Sequence, residues 1–84
     1  MERSQIFERV SEILSDYLRL KTGEVKEDSH VVQALGADSL ALVELGFKFM
    51  EAFDIGMVEP DEHLLIVGNL VDHIHAERQK QGNA

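Results

Sequence analysis

The sequence predicts an all-α domain: a small bundle of three longer helices plus one short helix, with a long loop between the first two. Apolar residues recur at helical spacing in three stretches, and no alternating apolar–polar run bounded by hairpin turns is present. The length of 84 residues suits a single domain spanning 1–84. The chain has no cysteine, which excludes disulfides and thiolate metal sites.

The first helix is predicted from Glu2 to about Leu20. Its apolar residues repeat at intervals of three and four: Ile6, Phe7, Val10, Ile13, Leu14, Tyr17 and Leu18. Gly23 is a typical stop signal, because glycine readily adopts the left-handed conformation that ends many helices. A long connection over 22–38 follows, and its expected anchors on the core are Val31, Val32 and Leu35.

The second helix is predicted from Ser39 to about Phe53, and it is apolar on two stripes. One stripe consists of Leu42, Leu45, Phe49 and Phe53. The other, flanked by Glu44 and Glu51, consists of Leu40, Val43, Phe47 and Met50. A helix that buries one face needs only one apolar stripe, so the second stripe indicates a protein contact site. Burial of a central helix on two sides accounts for the same pattern.

The last third of the chain predicts two further helices. Pro60 is suited to opening a short helix, with Asp61 and Glu62 in its first turn. The last helix is predicted from about Gly68 to Gln79 and would bury Leu70, Val71 and Ile74. The tail, residues 81–84, is expected to fray.

The charge distribution indicates which partners the domain binds. Sixteen acidic and eight basic residues give a net charge of −8, and from Glu27 to Glu77 eleven acids accompany a single base, Lys48. Such a surface repels nucleic acid and favours basic proteins, although solubility alone also explains it. No apolar run reaches the roughly 20 residues of a bilayer span, and no secretory signal is present. We therefore expect a cytoplasmic monomer.

The run Leu35-Gly36-Ala37-Asp38-Ser39-Leu40 joins the long connection to the second helix. Unpaired N–H groups and the helix dipole favour negative charge at a helix N-terminus, which suits a serine that carries a phosphate. Asp and Ser are also among the best N-cap residues, so helix capping alone explains the pair.

Together with Val43-Glu44-Leu45, Phe53-Asp54-Ile55 and Val71-Asp72-His73-Ile74, this run resembles the acyl carrier protein family over nearly the whole chain. The resemblance implies a carrier and not an enzyme. Ser39, beside Asp38, would carry 4'-phosphopantetheine from coenzyme A. The thiol of that arm would hold acyl groups as thioesters for fatty-acid, lipid or polyketide-type synthesis.

The resemblance also implies the partners and their contact residues. The partners are a phosphopantetheinyl transferase and acyl-loading, condensing and acyltransferase enzymes with basic docking surfaces. By position, the docking residues are Leu40, Glu44, Phe47, Met50 and Glu51. Candidates for an acyl pocket inside the bundle are Val43, Phe49 and Leu64.

The second helix departs from the family pattern. Ala41 and Met50 stand where acids are usual, and Lys48 adds a positive charge. The helix is therefore less acidic and more apolar than in housekeeping fatty-acid carriers. These departures predict a specialised member with its own partners.

Two other functions stay open at this point. One is an aminoacyl carrier of the D-alanyl or peptidyl type, and the other is an unmodified acidic interaction domain in which Asp38-Ser39 is only a cap. Sites of other kinds lack support. His73 and His75 are two residues apart and point away from each other on a helix. We therefore expect no metal site. No Gly-x-Ser-x-Gly elbow surrounds Ser39, so we also expect no catalytic residue.

Overall fold

The computed structural model describes residues 2–21 and 23–82. This part of the chain forms three α-helices and one short 3₁₀ helix, so the predicted all-α bundle of three longer helices and one short helix is confirmed. The helices are α1 (Arg3–Leu18), α2 (Ser39–Phe53), the 3₁₀ helix (Glu62–Leu65) and α3 (Val67–Gly82). Helix α1 packs against both α2 and α3.

The core is made from one face of each helix, as the apolar spacing predicts. Helix α1 contributes Ile6, Val10, Ile13 and Leu14. Helix α2 contributes the first of its two stripes, with Leu45, Phe49 and Phe53 buried and Leu42 half-buried. Helix α3 contributes Val67, Leu70, Val71 and Ile74. Burial of these stripes is the main favourable contribution to folding.

Helix α1 ends two residues earlier than the sequence predicts. Its C-cap is Arg19 in the left-handed conformation, with φ 56°, and the Leu20 N–H donates a hydrogen bond to the Ser15 carbonyl at 2.9 Å. This reversal lets Leu20 pack against the core. Gly23 is also left-handed, with φ 88°, but it lies beyond the helix end and shapes the connection instead.

The connection between α1 and α2 is tied to the segment that leads into α3. The Val31 N–H donates to the Leu65 carbonyl at 2.8 Å. The Val67 N–H donates to the Ser29 carbonyl at 3.0 Å. Of the three predicted anchors, Val31 and Leu35 are buried, and Val32 is only half-buried. These bonds link distant parts of the chain and so position the segment that leads to Ser39.

The short helix begins later than the sequence predicts. Pro60 lies outside it, and Asp61 is its N-cap, with Oδ1 accepting from the His63 N–H at 2.7 Å. A side chain that accepts a hydrogen bond from the first turn belongs to the residue just before the helix. Asp61 is therefore the cap, and the helix starts at Glu62. Helix α3 extends to Gly82, so the backbone at 81 and 82 is helical; 83 and 84, the rest of the tail, lie outside the described residues.

Two kinds of site are not found in the part of the chain that the structure describes. None of its helices combines the length and apolar character that crossing a bilayer requires. No three histidine or acidic side chains there come together as ligands for a metal ion.

Candidate functional site

Asp38, not Ser39, caps helix α2. The Asp38 Oδ1 accepts a hydrogen bond from the Ala41 N–H at 2.8 Å. Ser39 is the first residue of the helix and is exposed. Within residues 2–21 and 23–82, no hydrogen bond of the Ser39 hydroxyl is found. The residue that stabilises the helix start is therefore separate from the residue whose hydroxyl is free to react.

A turn brings the chain from the core to this exposed position. Ala37 is buried, and its N–H donates to the Val31 carbonyl at 3.1 Å. Gly36 has φ 82°, a left-handed conformation that glycine adopts without steric cost. The backbone thus turns at Gly36, buries Ala37 and presents Ser39 to solvent two residues later.

The position suits attachment of a phosphate group. The first N–H groups of an α-helix have no intrahelical partner, and the dipole of the 15-residue α2 places partial positive charge there. Asp38 adds a negative charge beside Ser39, but its carboxylate is engaged by the Ala41 N–H. An exposed, unbonded hydroxyl at such a helix start fits a phosphodiester-linked group.

An exposed apolar strip follows Ser39 along the outer face of α2. The strip consists of Leu40, Val43 and Phe47, with exposed fractions of 67%, 43% and 47%. Met50, the fourth residue of the predicted stripe, is half-buried. Burial of α2 on two sides is therefore not the explanation for its second stripe. Exposed apolar patches of this kind are typical of protein contact sites.

The acids beside the strip differ in their surroundings. Glu44 is exposed and accepts a hydrogen bond from the hydroxyl of Tyr17 on α1. This hydrogen bond is the main cause that raises the pKa of Tyr17 above its ordinary value. Lys48 places its Nζ 5.7 Å from the centre of the Tyr17 ring. Glu51 is exposed and makes no ion pair within the described residues.

A small apolar cavity lies on the inner side of α2. Its volume is about 30 Å³, far below the roughly 300 Å³ at the lower end of small-molecule pockets. Of the three predicted pocket residues, Phe49 and Leu64 line it. Val43 does not line this cavity and is exposed on the apolar strip; the acyl pocket formed by Val43, Phe49 and Leu64 stays a prediction.

Sequence patterns did not single out two features near the site, which are Tyr17 as a partner of Glu44 and the exposed Met57. Met57 is 41% exposed and adds an apolar side chain beside α2. Gly46 is buried where the 57–58 backbone approaches the helix: a Cβ at this position would lie 2.7 Å from the Val58 carbonyl oxygen. A glycine inside a helix indicates either a close approach or room in the core, and at Gly46 the structure shows a close approach.

Comparisons with known proteins agree with this geometry. A family profile described as "Phosphopantetheine attachment site" matches residues 8–64. A protein named acyl carrier protein from Prochlorococcus marinus (strain MIT 9515) is 42% identical over 79 residues, which cover 93% of this chain and 99% of the relative. Another of that name, from Clostridium acetobutylicum, is 38% identical over 76 residues, or 89% of this chain and 99% of the relative.

Proposed function

The chain belongs to the acyl carrier protein family, and we propose that Ser39 is the residue to which its 4'-phosphopantetheine cofactor is attached. The protein functions as an acyl carrier. The observation that supports Ser39 is its exposed hydroxyl at the first position of α2, free because Asp38 provides the cap. Ser39 also lies inside the matched region, 8–64.

Attachment of the arm is a transfer from coenzyme A. The Ser39 oxygen attacks the pyrophosphate phosphorus next to the pantetheine. A new O–P bond forms, the P–O bond within the pyrophosphate breaks, and adenosine 3',5'-bisphosphate leaves. Since Ser39 is not hydrogen-bonded to a base in the described chain, the hydroxyl proton goes to a base of the transferase. This supports a role as a substrate of partner enzymes and not as a catalyst.

The bound arm supplies a thiol that holds acyl groups as thioesters. This chain has no cysteine that would compete for them. Fatty-acid synthesis is the usual setting for the family. Because Lys48, Ala41 and Met50 make α2 less acidic than is usual there, we propose a specialised member of the family. A cytoplasmic location stays a prediction from the sequence.

The outer face of α2 is the proposed docking surface for partner enzymes. The apolar strip supports this, because it begins one residue after Ser39, and Leu40 is the most exposed large apolar side chain among the described residues. Glu44, Met50 and Glu51 complete the proposed surface. The proposed partners are a phosphopantetheinyl transferase and acyl-loading, condensing and acyltransferase enzymes with basic docking surfaces.

The test is incubation of the unmodified protein with coenzyme A and a broad-specificity phosphopantetheinyl transferase, followed by intact-mass measurement. The wild-type protein should gain the mass of one arm, and Ser39→Ala should gain none. Ser4→Ala is a matched control, because Ser4 is also exposed and also near a helix start, and it should be modified like wild type. A folded wild-type protein that gains no mass, or a modified Ser39→Ala, would contradict the proposal.

A second measurement separates acyl from aminoacyl carriers. The modified protein is offered to a fatty-acid-activating enzyme with a fatty acid and, in a parallel sample, to a D-alanine-activating enzyme with D-alanine. We expect an acyl thioester in the first sample. Loading in the second sample alone would assign the protein to the aminoacyl type.

A further inference from the structure

Tyr17 connects α1 to the proposed docking face of α2. Its hydroxyl donates to the Glu44 carboxylate, and its ring lies beneath the Lys48 ammonium group, 5.7 Å from Nζ to the ring centre. Glu44 and Lys48 are four residues apart and so share one side of α2. One tyrosine thus holds both charges of this side toward α1.

From this arrangement we infer that Tyr17 is a positioning residue that holds Glu44 against α1 and so reduces its contribution to binding basic partner enzymes. The inference rests on the proposed function, because it concerns the docking face of a carrier. Glu44 and Glu51 look equivalent in the sequence, because both flank the apolar strip. The inference gives them different contributions to partner binding.

The physical basis is competition for one carboxylate. A lysine or arginine of a partner enzyme must share the Glu44 oxygens with the Tyr17 hydroxyl or displace it. Lys48 carries the one positive charge of α2, and it offsets part of the negative potential that Glu44 offers to an approaching protein. Glu51 has neither a tyrosine hydroxyl nor an ion-pair partner in the described part of the chain.

This arrangement makes the docking face more apolar than its sequence indicates. The Asp38 carboxylate is engaged by the Ala41 N–H, and Glu44 is engaged by Tyr17. The apolar strip and the Glu51 carboxylate have no such partner within the described residues. A partner therefore gains more from apolar contact than the acids of α2 by themselves indicate.

The experiment is a double-mutant cycle on the rate of phosphopantetheine transfer. The variants are Tyr17→Phe, Glu44→Gln and the double variant, measured at about 10 mM and about 150 mM salt, where the screening length falls from roughly 30 Å to roughly 8 Å. Alone, Glu44→Gln should lower kcat/KM less than it does when the Tyr17 hydroxyl is absent. In the Tyr17→Phe background it should lower kcat/KM by about two- to five-fold at low salt, as for one exposed charge pair, through KM and not kcat.

Glu51→Gln is the matched control, because it removes the same charge from the same helix without touching Tyr17. Its effect should be about equal with and without Tyr17. An equal effect of Glu44→Gln in both backgrounds would overturn the inference. If wild type is not modified at all, the proposed function fails first; if it is modified but the cycle shows no coupling, only this inference fails.

Tyr17 also offers a spectroscopic readout of its hydrogen bond to Glu44. It is the single tyrosine of a chain without tryptophan, so the ultraviolet absorbance titration of tyrosinate reports on it alone. Because the Glu44 hydrogen bond raises the pKa of Tyr17, Glu44→Gln should shift this titration to lower pH. An unchanged titration would show that Tyr17 does not hold Glu44 and would also overturn the inference.

Discussion

The Asp38 carboxylate accepts a hydrogen bond from the Ala41 N–H at 2.8 Å, and this bond assigns the cap of α2 to the residue before Ser39. Asp38 therefore stabilises the helix start, and its neighbour Ser39 offers an exposed hydroxyl. The proposed modification of Ser39 would leave the bond between Asp38 and Ala41 in place.

The first prediction concerns this cap. Asp38→Ala should lower the free energy of unfolding by about 1 kcal/mol, because it removes the acceptor for an N–H of the first turn. Asp38→Asn keeps an acceptor oxygen and should lose much less. Ser39→Ala should cost less than Asp38→Ala, since the Ser39 hydroxyl makes no bond in the described structure. Urea denaturation measures all three; equal losses for Ser39→Ala and Asp38→Ala would contradict the assignment.

The second prediction concerns the apolar strip. Leu40→Ala should raise the KM of the transferase for the carrier while changing the free energy of unfolding by less than about 0.5 kcal/mol, because Leu40 is 67% exposed. Leu45→Ala, on the inner face of the same helix, should instead lower stability by about 2–5 kcal/mol. Transfer kinetics and thermal denaturation separate the two outcomes. A strip without a docking role would leave the KM of Leu40→Ala at the wild-type value.

The third prediction concerns Gly46, where α2 meets the backbone at Val58. Alanine is normally the better helix former, but its Cβ would lie 2.7 Å from the Val58 carbonyl oxygen. We expect Gly46→Ala to destabilise the protein by about 1–2 kcal/mol, because the backbone must shift. Gly56→Ala is the control, since a Cβ there meets nothing within 4 Å. A Gly46→Ala variant as stable as wild type would show that the 57–58 segment yields freely.

The fourth prediction concerns Arg3, which joins α1 to the connection and to α3. Arg3 donates hydrogen bonds to both Glu27 carboxylate oxygens at 2.8 Å and to Asp72 at 2.5 Å. The hydrogen bonds from Arg3 hold the pKa of Glu27 below its ordinary value. Arg3→Met should lower stability at neutral pH by about 1 kcal/mol, a modest value because the Arg3 and Glu27 side chains are 38% and 51% exposed.

The pH dependence of this effect has a definite sign. In the folded protein the charged form of Glu27 is favoured, so its stabilising contribution is present above the pKa of about 4.3 for an unfolded glutamate. It is lost as the pH falls through the lower folded pKa. The stability difference between wild type and Arg3→Met should therefore shrink in acid. Arg9→Met, which loses only the exposed pair with Glu12, should show a smaller difference at neutral pH.

The helices could be predicted from the sequence because their signals are local. The bounds of α2, Ser39–Phe53, follow from apolar spacing that begins directly after a capping residue. The end of α1 was predicted less well, since a left-handed Arg19 has no sequence signature as clear as that of glycine. The start of the 3₁₀ helix was predicted at Pro60 and lies at Glu62, because Pro60 and Asp61 are both suited to a helix start.

The sequence by itself determined the all-α fold, the buried stripe of α2 and the candidate serine, because spacing along one helix and a short motif carry that information. Only the tertiary structure decided that Val43 faces solvent and that Tyr17 binds Glu44, 27 positions further along the chain. The physical reason is that exposure and side-chain pairing depend on how the helices pack against one another. The periodicity of a single helix does not specify which neighbouring helix covers which of its faces.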